Sequence, residues 1–405
     1  MADDNLPANP PSTEAPGANA PGPAIPTDEL LPPVEPPSGR FILQLFVVPA
    51  IIVACVVGLW LLFNSLARRD QLAPADIVSR LRSQNPSRFQ VANDLADMLR
   101  MPERYPDVKP NAELAAALGE LLDEMVEVGD NGDSSVSMRT LLCGFLGEFT
   151  VDDGVPALIN ALKNDPEPVV QRKAVNAIAV LAQTFGEGKA TTTKVVDGQS
   201  QTVEAGEPQV LESDGLAAAL IAAANQPDDD LLRSETAFTL GVLAAVPGAD
   251  SRYTDELLKL LDDFYPDARY NAANGLARTG NVAAVDTIVE MLDLEAIEGS
   301  VAAVQPFNDK QSAASVAAAR AAKRDSILKN AIVSARSLHE QHQGTDFPKL
   351  ESALAQLIEQ APQQAERTVT IEVAQGEQEV AMPRVAPTLV AAAEKVLAEL
   401  RGASE

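Results

Sequence analysis

Aromatic residues are scarce in this chain of 405 residues, at 4% of positions, although hydrophobic residues reach 46%. The apolar share is therefore mostly Ala, Leu, Val and Ile, a mixture that favours closely spaced helices and disfavours an all-β fold. Cysteine is nearly absent. Cys55 lies inside a long apolar run and Cys143 far down the chain, so the two build no disulfide framework, which fits a reducing compartment. Basic residues are also short, with 31 Lys and Arg against 58 Asp and Glu, for a net charge of −27. A chain that grips nucleic acid neutralises phosphates with clustered cations, so this balance excludes nucleic acid as a partner.

Recognisable chemistry is missing as well. There is no Gly-rich phosphate loop, nucleophile elbow or Cys-x-x-Cys pair, so no catalytic residue and no cofactor is expected. The two histidines, His339 and His342, stand three apart around Glu340 on a predicted helix. That is not the four-residue spacing of a zinc protease, and without Cys ligands nearby the pair reads as a solvated helix end, not a metal site. Acidic runs such as Asp152–Asp153, Asp228–Asp230 and Asp262–Asp263 fall at helix ends and turns, where carboxylates cap free amides.

What is present starts with Phe41 to Phe63, 23 residues without a charge. At about 1.5 Å per residue they extend roughly 34 Å, enough for a ~30 Å hydrocarbon layer, so residues 40–67 are expected to form one transmembrane helix. Phe41 opens this anchor, and Trp60 suits an interfacial belt. Arg40 stands alone before the span, whereas Arg68, Arg69, Arg80 and Arg82 follow it. By the positive-inside rule the N-terminus lies outside and the rest in the cytoplasm, at the cytoplasmic (inner) membrane, with membrane lipid as a partner. Ala50, Ala54 and Gly58 recur every fourth residue, a small-residue stripe through which two such helices would pack into a homodimer. The preceding residues 1–39 hold eleven Pro and no apolar period, and are expected to be a disordered tail.

Beyond the anchor, residues 68–405 read as an array. Four segments align: "RFQVANDLA" from Arg88, "RTLLCGFLG" from Arg139, "RSETAFTLG" from Arg233 and "RYNAANGLA" from Arg269, with "QRKAVNAIA" from Gln171 as a fifth and "LKNAIVSAR" from Leu328 as a weaker sixth. Positions four, five and eight share one helical face, and a small ninth residue lets a neighbouring helix approach. An amphipathic helix precedes each, and turns such as "NDPEPVV", "NQPDDDLL" and "FYPDARY" separate the two. The first positions 139, 171, 233 and 269 are spaced by 32, 62 and 36 residues. The long step contains a Thr/Val-rich stretch around Asp197–Gly198, and a similar one surrounds Gly376, so β-hairpins are expected near 190–205 and 367–382.

These segments resemble the HEAT repeat family, in particular the bacterial HEAT repeats similar to those of phycobilisome lyases. The resemblance implies an all-α, right-handed α-solenoid of about six helix pairs. It also implies that Arg88, Arg139, Arg233 and Arg269 tie their turns to a neighbouring repeat through an acidic residue, with Gln171 and Leu328 breaking the ladder. Residues 110–405 carry 46 acids and 22 bases. A membrane-anchored scaffold that binds a basic protein partner is therefore expected. The alternatives are a bilin-lyase-like enzyme and an envelope assembly factor with the array outside the cytoplasmic membrane.

Overall fold

The computed structural model describes residues 39–69, 74–196, 199–304, 312–361, 367–373, 376–382 and 385–402. The chain divides into two units, Met1–Gln71 and Leu72–Glu405.

In the first unit, α1 runs over Gly39–Arg69 with Pro49 inside it. The side chains described along it include the unbroken stretch from Val47 to Leu61, and its large apolar members, among them Ile51, Val56 and Trp60, are exposed. Among the described residues no helix is long and apolar enough to cross a membrane. This corrects the expected fold, which included a transmembrane helix. Ala50, Ala54 and Gly58 are exposed, and a Cβ added at Gly58 meets nothing within 4 Å. The side chains of Phe41, Arg68 and Arg69 lie outside the described residues, as do the tail through residue 38 and residues 70–73.

The second unit is a stack of helix pairs: α2 (Pro74–Arg82) with α3 (Arg88–Arg100), α4 (Ala112–Val128) with α5 (Asp133–Gly147), α6 (Val155–Asn164) with α7 (Pro168–Gly186), α8 (Leu216–Ala224) with α9 (Asp230–Ala244), and α10 (Ser251–Leu260) with α11 (Pro266–Arg278). Then α12 (Val285–Leu292) and the short α13 (Glu298–Ala302) pack on α14 (Ala313–Gln341), and α15 (Pro348–Gln360) packs on α16 (Pro387–Gly402). That makes seven pairs among the described residues where about six were expected. The additional pair is α15 with α16, which contains none of the six aligned segments. First helices α2, α4, α6, α8 and α10 touch in succession, and second helices α3, α5, α7, α9, α11, α14 and α16 do the same, so two layers enclose one continuous core.

Local chemistry sets the helix limits. Asn111 opens α4 by accepting from the Leu114 amide at 2.9 Å, and Gly129, at φ +60°, closes it in the left-handed region that a side chain disfavours. Between them Leu114, Leu118, Leu121 and Leu122 recur on one face and are buried. Removing a buried leucine of this kind costs about 2–5 kcal/mol. Pro168 and Pro266 occupy the first turns of α7 and α11, where the missing amide costs no helical hydrogen bond. The small ninth motif residue lies where two second helices come together. A Cβ on Gly241 would lie 2.6 Å from the Gly275 Cα, and one on Gly147 would lie 2.9 Å from the Ala177 Cα.

Two antiparallel hairpins leave the stack: β1 (Thr191–Val196) with β2 (Gln199–Glu204), and β3 (Arg367–Val373) with β4 (Gly376–Met382). Asp197 and Gly198 lie outside the described residues, and Gly376 pairs with Val373 as the first residue of β4. The first hairpin is tied down at its base. The Thr150 amide donates to the Lys109 carbonyl at 3.0 Å, and the Thr191 amide donates to the Thr150 carbonyl at 2.7 Å, which brings three distant segments side by side. The Ala205 amide closes the base on the Ala190 carbonyl at 2.8 Å.

Candidate functional site

The motif arginines fall at the turns between first and second helices. Arg139 is fully buried: Nη1 donates to the Asp130 carbonyl at 2.7 Å and the Ser135 hydroxyl at 2.9 Å, and Nη2 donates to Asp165 Oδ1 at 3.3 Å. Its Nε lies 2.7 Å from Asp165 Oδ2, an ion pair too bent for a hydrogen bond. Arg233 reaches the next repeat through Asp263, with contacts of 2.8 and 3.1 Å, and donates to the carbonyls of Gln226 and Pro227 within its own turn. Arg269 donates to the Asp263 carbonyl at 2.7 Å and pairs with Glu290 at 2.5 Å. Asp165 and Asp263 thus each take a cation from the preceding repeat on the carboxylate, while their main-chain carbonyls are held by Gln171 and Arg269.

The other positions differ. Arg88 donates to the carbonyl and hydroxyl of Ser134, at 3.2 and 2.6 Å, and not to an acid. Gln171 donates to the Asp165 carbonyl at 2.7 Å, but its neutral amide leaves the forward ion pair to its neighbour: Arg172 pairs with Asp229 at 2.9 Å. Asp229 also caps α9 through the Leu232 amide. The link that Gln171 interrupts is therefore carried one residue later. At Leu328 the side chain is buried core, and the nearby ion pair runs from Arg324 to Glu298 at 3.2 Å.

On the second-helix layer, beside the first hairpin, a cleft of about 790 Å³ opens between the loop at Pro102–Pro110, helix α7 and the hairpin base. Its lining includes exposed Val180 together with Asp107, Glu148, Glu187 and Glu204. Lys109 and Lys189 also line it, and each is occupied by a carboxylate, Lys109 by Glu148 at 3.0 Å and Lys189 by Glu187 at 2.6 Å. Asp107 and Glu204 have no ion pair among the described residues. A second cavity of about 270 Å³, between α7, α9 and α11, shares Gln183 and Glu187 with the cleft and holds Phe238, Val242 and Arg278. Together the two linings form a strip with four carboxylates and three cations around apolar floors.

No cysteine or histidine is among the residues that line this strip. Cys143 is buried in α5, where desolvation, followed by the charge of Asp165, pushes its thiol up to about 12. The His342 ring contacts the Gly280 carbonyl at 2.6 Å and sits edge-on to Phe347. Among the described residues no group of three His, Cys, Asp or Glu side chains is placed to hold a metal ion.

No curated protein sequence matches the chain. Among solved structures, the X-ray structure of Escherichia coli YibA aligns over 79% of this chain and 98% of its own, at 11% identity and a TM-score of 0.27. Residues 155–185, which span α6 and α7, match the HEAT repeat, and residues 268–293, which run from α11 through α12, match the PBS lyase HEAT-like repeat. Both matches lie inside one stack of paired helices, so the chain contains HEAT-type repeats at these two places.

Proposed function

We propose that this protein is a scaffold whose second-helix layer binds a basic segment of a partner protein. The observation that carries this reading is the cleft beside the first hairpin, where exposed Val180 sits among carboxylates and the lysines present are already paired. A lysine-rich segment brings the charge that Asp107 and Glu204 lack, and its aliphatic stems cover Val180. The net charge of −27 draws such a partner from a distance and raises its association rate. The Thr150–Thr191 link fixes the hairpin as one wall, so the cleft is formed before binding.

The double variant Asp107→Lys with Glu204→Lys tests the proposal. Both positions are on the surface, so the helix content should not change. Affinity for a lysine-rich peptide should fall at least about tenfold at low salt, with the difference shrinking as salt is added. Equal affinity of the two forms rejects the cleft as the binding face.

A further inference from the structure

Arg278 is set apart from the turn arginines. Arg139, Arg233 and Arg269 are each satisfied by carboxylates and carbonyls, whereas the Arg278 side chain has no ion pair and no hydrogen bond among the described residues. Its guanidinium carbon lies 5.7 Å from the centre of the Phe238 ring, which is 39% exposed. Beside them is the 270 Å³ cavity walled by Ala182, Gly186, Val242 and Val246. At about 30 Å³ per water this holds roughly nine waters, the scale of one large side chain. The carboxylate in the cavity lining, Glu187, is held by Lys189 at 2.6 Å and Gln183 at 2.7 Å, so it does not serve Arg278. Arg278 and Phe238 are both exposed, so the guanidinium is open to a ligand from solvent.

An exposed cation without a counter-ion, next to a recess walled by Ala182, Val242 and Val246, is complementary to a carboxylate adjoining an apolar side chain. We infer that this cavity is a register subsite: it takes an apolar side chain of the partner segment while Arg278 binds a neighbouring carboxylate. The inference rests on the proposed binding of a basic segment, and adds that the segment carries one acid. In a mostly cationic ligand, long-range attraction supplies the encounter but little register. One carboxylate pinned at Arg278, in a field repulsive to carboxylates elsewhere, fixes which residues of the segment meet the cleft.

The test uses the full chain and two fluorescein-labelled hexapeptides read by anisotropy, one with lysines flanking a central leucine–glutamate pair and the other with glutamine in place of the glutamate. The glutamate peptide should bind roughly tenfold more tightly, the scale of one charge-assisted hydrogen bond. Arg278→Gln should remove that preference without weakening the glutamine peptide, because losing a cation does not oppose a lysine-rich ligand, and Ala245→Trp, at the cavity lining, should weaken the glutamate peptide without touching the cation. Equal binding of both peptides, or equal weakening of both by Arg278→Gln, overturns the subsite. If the two peptides bind equally and both are lost in the Asp107→Lys, Glu204→Lys variant, the cleft stands and the subsite falls. Binding of neither at millimolar concentration rejects both.

Discussion

Arg233 holds Asp263, thirty residues ahead in the chain, through Nε to Oδ2 at 2.8 Å and Nη2 to Oδ1 at 3.1 Å, with both side chains at least nine-tenths covered. This contact fastens the turn of one repeat to the next. Asp263→Ala leaves a buried guanidinium with two carbonyls and Asp230 for compensation, and should cost about 3 kcal/mol in urea unfolding. Desolvation alone would raise the Asp263 pKa, but the Arg233 hydrogen bond and the Tyr265 amide outweigh it and hold the group below the ordinary carboxylate range. A depressed acid stabilises the fold above its unfolded pKa of about 3.9, and that contribution is lost as pH falls through the folded value. The acid limb of the stability curve should therefore be shallower in Asp263→Asn than in the parent chain.

Glu235 makes the opposite prediction. Desolvation raises its pKa against the lowering effects of Arg172, the Asn176 hydrogen bond and Lys173, while Asp229 adds to the rise, and Oε2 has no hydrogen-bond partner among the described residues. A raised acid destabilises the fold at neutral pH, and the penalty is relieved as pH falls through the folded pKa. Glu235→Gln should raise the melting temperature at pH 7, with a gain that vanishes below about pH 4. A constant gain at all pH values would assign the effect to packing instead.

Gly241 and Gly275 let α9 and α11 meet backbone to backbone, and each would place a Cβ 2.6 Å from the other's Cα. Neither has positive φ, so helix propensity alone would favour alanine. Steric conflict should win: Gly241→Ala is expected to cost about 1–3 kcal/mol, visible as a lower urea midpoint. Gly144→Ala meets only the Lys173 chain end at 3.1 Å and should be near neutral.

Cys143 should be inert in the native protein. Its thiol is buried and pushed up to about 12, so thiolate is negligible at pH 8. Peptide mapping after iodoacetamide treatment should find Cys143 unmodified natively and fully modified in urea. Native modification at a rate near that of a free thiol would mean that α5 opens readily.

Much of the array was legible because burying one face of a helix requires apolar residues at fixed helical spacing and a small residue wherever two helices touch. The ninth motif positions Gly147 and Gly241 are such contacts. The turn network was harder to read. Arg172 takes the role of the aligned position one residue late, and a pattern that scores Gln171 sees only a gap. No segment of the α15–α16 pair aligns with the motif, so a count based on the motif stops one short. In Phe41–Phe63, charge-free composition alone gave the expectation of a membrane span, which the described part of α1 does not uphold. Arg278 and Phe238 come from consecutive repeats forty residues apart, and no local pattern joins them.

Site-specific photo-crosslinking tests the central claim most directly. A benzophenone side chain placed at Val180, in the cleft, should crosslink to a lysine-rich peptide, whereas the same group at Leu258 on first helix α10 should not. Crosslinking at Leu258 with none at Val180 would contradict the account, because the binding face would then be the first-helix layer.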